Sequence, residues 1–224
     1  MDPVAINQAQ VAPTQRGYQV AKRILDICFC LFMIPILSPL LALLGILVAL
    51  NSPGPVFFAQ ERIGKGGRPF RMFKFRTMPQ DVEDAGHKEF MQAFVRGEVD
   101  SSSVEKAVYK PPQPLQATPL ARLLRKRSLD ELPQLFNVLR GEMSLVGPRP
   151  NVPWEVEAYL PWHHRRLEVL PGMTGLAQVR GRSGISFDTI VRYDIEYIEK
   201  QSLLLDLKII LWTVPCLISA KGVG

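Results

Sequence analysis

The residues best suited to chemistry in this chain are two adjacent carboxylates, Asp130-Glu131, that follow a run of cations. Arg122, Arg125, Lys126 and Arg127 lie just upstream. Cations within reach lower carboxylate pKa values and keep both groups ionised. Ionised carboxylates beside arginines can bind Mg²⁺ and handle phosphates. The competing explanation is architectural. Ser128-Leu129-Asp130-Glu131 has the form of a helix capping box, and acids are favoured in a first helical turn. Other chemistries fit less well. The three histidines, His87, His163 and His164, form no metal set and suit surface positions. Gly64-Lys65-Gly66-Gly67 lacks the GK[ST] ending of a phosphate loop, and neither GxSxG nor HExxH is present. The formal net charge of +6 points to an anionic partner, but no nucleic-acid-binding motif accompanies it.

The elements that would position this pair begin with a membrane segment. Ile27 to Leu50 carries no charge, which is long enough for a transmembrane helix. Pro35, Ser38 and Pro39 interrupt it, so two half-helices over roughly 22–37 and 40–50 are expected. Neither half would cross a hydrocarbon core of about 30 Å alone. Both flanks are basic: Lys22 and Arg23 before the run, Arg62, Lys65, Arg68, Arg71, Lys74 and Arg76 after it. Basic flanks favour the cytoplasmic side. A re-entrant helix–break–helix and a kinked spanning helix both remain open on the residues alone. The Ser38 hydroxyl is suited to a carbonyl freed at the break. The first 15 residues carry no cation, so no secretory leader is expected. Cys28, Cys30 and Cys216 all lie in apolar stretches and read as small buried apolar residues in a reducing compartment.

Downstream, Val56-Phe57-Phe58 and Phe70–Phe75 flank the glycine run as the arms of a β-hairpin. Phe73-Lys74-Phe75-Arg76 alternates aromatics with cations, so Lys74 and Arg76 share a face that is either solvated or functional. Residues 79–105 are acidic, and 79–118 reads as a surface excursion with one or two short helices. Phe187, Ile190, Val191, Ile195 and Ile198 recur at helical spacing. Ile209–Ala220 is apolar but short and holds Pro215, so it suits either a core helix or an interfacial one. Periodicity supports a helix-dominated α+β unit.

With these residues in view, the chain resembles the bacterial sugar transferases that act as monotopic polyprenyl-phosphate phosphoglycosyl transferases, in their minimal catalytic form. The strings that carry the resemblance are the hairpin break Ser38-Pro39, Lys74-Phe75-Arg76-Thr77-Met78, and Ser128-Leu129-Asp130-Glu131-Leu132-Pro133-Gln134-Leu135. Asn137-Val138-Leu139, Met143-Ser144-Leu145-Val146-Gly147-Pro148-Arg149-Pro150 and Pro171-Gly172-Met173-Thr174-Gly175-Leu176 complete it, over roughly residues 18–220.

The resemblance implies transfer of sugar-1-phosphate from a UDP-sugar to polyprenyl (undecaprenyl) phosphate, with release of UMP, as the first step of a surface polysaccharide or glycoconjugate. It implies Asp130 as nucleophile, Glu131 as Mg²⁺ ligand, and Arg125 and Arg149 on phosphate oxygens. Lys74 and Arg76 would serve phosphate or lipid head groups, and Arg180 and Arg182 the nucleotide. It also implies a re-entrant anchor at the cytoplasmic face of the bacterial inner membrane, in contact with membrane lipid. The expected organisation is a tail over 1–17, the hairpin over 18–52 and a catalytic domain over 53–224. Two alternatives stand beside this reading: a lipid-acceptor glycosyltransferase releasing UDP, and a non-catalytic membrane adaptor.

Overall fold

A computed structural model describes residues 16–51, 53–77, 85–98, 118–181 and 185–219. The expected tail over 1–17 falls almost wholly outside these residues, as does most of 79–118. Helix α1 (Arg16–Asn51) is followed by a hairpin of β1 (Phe57–Ile63) and β2 (Pro69–Phe75). Then come α2 (Ala85–Arg96), α3 (Pro119–Lys126), a single 3-10 turn at Leu129–Glu131, and α4 (Gln134–Arg140). β3 (Ser144–Val146), α5 (Pro153–Val156), a 3-10 segment at Pro161–Glu168, β4 (Gly172–Thr174), α6 (Leu176–Arg180), α7 (Phe187–Lys200) and α8 (Leu203–Ser219) complete the order. The chain is helix-dominated with a β-hairpin, as expected, and carries a second small sheet, β3 with β4, that was not expected.

The apolar run is one helix, not two halves with a gap. α1 runs through both Pro35 and Pro39. Pro39 has no N–H to give the carbonyl four residues back, and the Ser38 hydroxyl donates to that Pro35 carbonyl at 2.8 Å. The freed acceptor is thus satisfied locally, in the way expected of Ser38. α1 is the one helix among the described residues long and apolar enough to cross a membrane.

α1 is also built into the rest of the chain. Cys30, Leu25, Phe29, Ile34 and Leu37 pack with Met72, Val138, Leu145 and Ile209. Leu44 and Val48, from the other half, pack with Phe75 and Leu124. Polar contacts reinforce this: Arg23 donates to the last carbonyls of α4 at Val138 and Leu139. Asp26 is 1% exposed and accepts from the Leu145 amide at 3.1 Å. Tyr18 and Lys22 both reach Asp206 of α8, at 2.9 Å.

The antiparallel hairpin has the expected arms, with Phe57 opposite Phe75 and Phe58 opposite Lys74. Its cations are not a solvated face. Arg76 is buried, and its guanidinium lies against Gly54, whose φ of +112° and missing side chain leave room for it. The excursion is likewise more than surface. α2 sends Met91, Phe94 and Val95 into a second core with Phe187, Ile190 and Val191 of α7. Acidic composition concealed that apolar stripe. Of the cysteines, Cys30 is buried as expected, Cys28 is exposed and Cys216 is intermediate. Cys28 faces outward because it lies two residues from Cys30, off the packed side of α1.

Candidate active site

β2, the turn at Leu129–Glu131 and the loop after β3 bring the charged residues together. Ser128 adopts a left-handed conformation (φ +52°) and makes no side-chain capping bond. The capping-box explanation therefore fails: a non-glycine residue carries backbone strain at the entrance to one tight turn. That turn presents Asp130, 6% exposed, and Glu131 beside it.

Glu131 is held from two sides. Lys74 donates to Oε1 at 3.1 Å, and Arg149 donates to the same oxygen at 2.9 Å. Oε2 has only a 3.5 Å contact with Arg149. Burial alone would raise the Glu131 pKa, but the Arg149 and Lys74 charges outweigh it and hold the carboxyl well below its ordinary range. Burial pushes the Lys74 ammonium down; Glu131 pulls it back up, and the guanidiniums of Arg149 and Arg62 oppose that pull. The site is thus one ionised carboxylate in a cationic pocket with a second carboxylate adjoining.

Asn137 ties β2 to α4, the helix that follows this turn. It is fully buried, accepts from the Phe73 amide at 3.0 Å, and donates to the Arg71 carbonyl and to Glu142 at 2.8 and 2.7 Å. Phe73 immediately precedes Lys74 on the strand, so the ammonium inherits its place from a backbone clamp.

Arg149 is placed by a second device. β3 and β4 pair in parallel, Ser144 with Gly172 and Val146 with Thr174. Gly147 donates to the Thr174 carbonyl and Gly172 to the Pro148 carbonyl, both at 2.9 Å. A Cβ at Gly147, Gly172 or Gly175 would overlap backbone of the opposite segment. The two glycine–proline strings, more than 20 residues apart in the chain, are therefore one backbone-to-backbone contact.

Beyond it, three successive carbonyls are each held. Arg166 donates to Arg149 at 3.2 Å, Arg62 to Pro150 at 3.0 Å, and the Ile63 amide to Asn151 at 2.9 Å. Arg166 is 2% exposed and is anchored by Asp194 at 2.7 Å and the Asn151 side chain at 2.7 Å. Burial pushes Asp194 up to about 6, against the pull of Arg166.

Of the expected site residues, Asp130, Glu131, Lys74 and Arg149 come together. Arg125 lies in the last turn of α3, which packs against the Asp130 turn. Arg76 lies two residues beyond Lys74 and faces Gly54. Arg180 is not brought in: it forms a forked pair with Glu196 of α7 at 3.0 and 3.1 Å, out on the surface. Arg182 lies outside the described residues, as does the His87 side chain. His163 is fully buried, not at the surface. Its Nδ1 accepts from the Leu160 amide, leaving Nε2 to donate to Asp188, and burial lowers its pKa. Arg62, Asn137 and Arg166 are the positioning residues that residue-by-residue reading missed. Arg62 had been visible only as part of the basic flank, and Asn137 only within a matching string. No local signal marked Arg166.

Among the described residues no three His, Cys, Asp or Glu side chains converge on a metal position. Mg²⁺ needs fewer protein ligands, because one or two carboxylates and substrate phosphates satisfy it. Glu131 fits that pattern through Oε2, the oxygen with the weaker contact.

Comparison with known proteins shows the family. The model of the bacterial sugar transferase family matches residues 17–220, and the chain belongs to that family. It is 38% identical over 203 residues to the exopolysaccharide production protein ExoY of Rhizobium meliloti, covering 91% of this chain and 88% of that one. A UDP-glucose:undecaprenyl-phosphate glucose-1-phosphate transferase of Caulobacter vibrioides is 40% identical, over 90% of this chain and 71% of its own. A UDP-N-acetylgalactosamine-undecaprenyl-phosphate N-acetylgalactosaminephosphotransferase of Aeromonas hydrophila is 36% identical, over 92% of this chain and 45% of its own. The chain is an enzyme of the phosphoglycosyl transferase class.

Proposed function

We propose that the chain transfers sugar-1-phosphate from a UDP-sugar to polyprenyl phosphate and releases UMP, by way of an aspartyl intermediate. The observation that carries the reading is a buried Asp130 beside a carboxylate already neutralised by Lys74 and Arg149. A carboxylate attacking a diphosphate brings anions together, so the barrier falls mainly through positioning and charge neutralisation. Asp130 would attack the sugar-bearing phosphorus. The bond from that phosphorus to the bridging oxygen breaks, and UMP leaves. An oxygen of polyprenyl phosphate then attacks the same phosphorus and returns Asp130 as a free carboxylate. Arg149 and Arg125 would hold phosphate oxygens in forked hydrogen bonds. Glu131 would hold Mg²⁺ together with donor phosphate oxygens, and the ion when bound supplies further charge neutralisation. Similarity to relatives named for UDP-glucose and UDP-N-acetylgalactosamine supports a UDP-sugar donor.

The same reading places α1 as a re-entrant anchor entered and left from the cytoplasmic face. A straight helix of 36 residues is about 54 Å long. A bilayer-spanning helix would put its ends on opposite sides of the membrane. Here Lys22, near one end, pairs with Asp206, and Asn51, at the other, donates to Thr118 at 2.6 Å. Both ends thus meet the soluble domain, which favours re-entry.

The test is product analysis with purified protein, Mg²⁺, undecaprenyl phosphate and a panel of UDP-sugars. UMP release that needs lipid and is abolished in a folded Asp130→Asn variant is expected. UDP in place of UMP, or wild-type turnover in Asp130→Asn, would refute the mechanism.

A further inference from the structure

Gln134, the first residue of α4, is a buried polar residue that the fold does not account for. It is 2% exposed, and among the described residues its carboxamide Nε2 is buried with no hydrogen-bond partner. A buried donor left unpaired gives up its hydration without return and destabilises the fold. Native folds keep few such groups, and a catalytic role is one reason to keep one.

Its place in the chain says which ligand completes it. From Leu129 the backbone coils right-handed without a break, through Leu132 and Pro133, both in helical conformation, into α4. Residues three and four apart on such a coil are neighbours. Gln134 therefore adjoins Glu131 and Asp130 at once. Glu131, Gln134 and Asn137 form one row at spacing three, and its two outer members both face β2. Glu131 meets Lys74, and Asn137 meets the Phe73 amide and the Arg71 carbonyl. The row places Gln134 between the Asn137 clamp and the two carboxylates. Glu131 is already taken by Lys74 and Arg149. The left-handed Ser128 opens this coil and the unpaired Gln134 follows it, so two unfavourable features bracket Asp130.

We propose that Gln134 is a catalytic residue that donates from Nε2 to a non-bridging oxygen of the phosphate that Asp130 attacks. This rests on the sugar-phosphate transfer proposed above. A cation at this position would pair with Asp130 itself and hold back the nucleophile. A neutral amide leaves Asp130 reactive and still gives the phosphoryl oxygen a preorganised hydrogen bond.

The test measures UDP and UMP binding to the full chain in nanodiscs with Mg²⁺, by calorimetry, beside Tm and UMP release. UDP carries the phosphate that Asp130 attacks, and UMP does not. Gln134→Met keeps the length of the side chain and removes the donor. It should weaken UDP binding about 10-fold, leave UMP binding unchanged, and lower kcat by about 10- to 100-fold. Its Tm should equal or exceed that of the wild type, because an apolar group replaces an unpaired donor. Gln134→Leu should behave alike and guards against a packing fault in one variant. UDP binding and turnover at wild-type values would overturn the proposal. Equal loss of UDP and UMP would overturn it too, by showing a disturbed site rather than a contact with the second phosphate. So would a lower Tm in both variants, since the carboxamide would then belong to the fold. Wild-type chain that binds neither nucleotide would refute the UDP-sugar reading, and the inference would fall with it. Wild-type chain that releases UDP in place of UMP would refute the aspartyl mechanism alone, and a preference for UDP over UMP that needs Gln134 would still uphold the contact.

Discussion

Lys74 and Glu131 offer a direct measure of how strongly the cationic pocket is built. Their side chains are 16% and 14% exposed and 3.1 Å apart. At an effective dielectric of about 20, two unit charges at that distance attract by about 5 kcal/mol. Burial takes back a large part, because desolvation is the leading influence on both groups and drives Lys74 below its ordinary pKa. Glu131 also keeps Arg149 when Lys74 is lost. What remains for the pair is a charged hydrogen bond, about 2–3 kcal/mol. For 224 residues that corresponds to about 4–12 °C in Tm. The assay is a double-mutant cycle of Lys74→Met and Glu131→Gln, followed by thermal unfolding and by UMP release. Each single variant should unfold earlier, and the double variant should recover most of one loss. Strictly additive effects would refute the claim that these charges are coupled. Wild-type turnover in Lys74→Met would refute the role of the pocket in catalysis.

Other expectations follow from the same contacts. Gly172→Ala places a Cβ into the Gly147 backbone; it should cost about 1–3 kcal/mol and depress turnover by displacing Arg149, and an unchanged Tm would show that the segments separate freely. Ser38→Ala orphans the Pro35 carbonyl in an apolar setting; Tm in nanodiscs should fall by an amount matching about 1–3 kcal/mol, with rescue by Ser38→Thr, and an indifferent Ala variant would refute the role of the hydroxyl. Glu131 titrates well below its unfolded value near 4.5, so its stabilisation is complete above that pH and drains away as pH falls through the lower folded value. Glu131→Gln should therefore unfold with a shallower pH dependence below pH 4.5, and a parallel curve would contradict the assigned direction.

The chain announced some of this openly. The hairpin, α7 and the Asp130-Glu131 pair follow from local pattern, because alternation, periodicity and adjacent charges are written in neighbouring residues. The pairing of Gly147 with Gly172 was not readable, since nothing in either string specifies a partner more than 20 residues away. Arg166 was hidden for a similar reason. Its role is to hold a carbonyl, and any of several arginines could have done so. Arg180, which the resemblance implied for the nucleotide, pairs instead with Glu196, a partner 16 residues on that no local pattern announces. α2 was obscured by the charge of its surroundings, which outweighed Met91, Phe94 and Val95 when composition was averaged.

The way α1 is stitched into the domain has a consequence for how the molecule comes into being. Asp26 meets its partner, the Leu145 amide, across 119 residues of chain, and Arg23 waits nearly as long for α4. At bacterial elongation rates of about 5–20 residues per second, that is an interval on the order of ten seconds. Throughout it the nascent apolar helix carries a carboxylate and a guanidinium with no final partner. Completion of the fold therefore waits on chain made long after α1. A fragment stripped of α1 would expose the faces under Cys30 and Val48 and strand the donors and acceptors that α1 satisfies. α1 is an early-made wall of the enzyme, and the later elements are assembled against it.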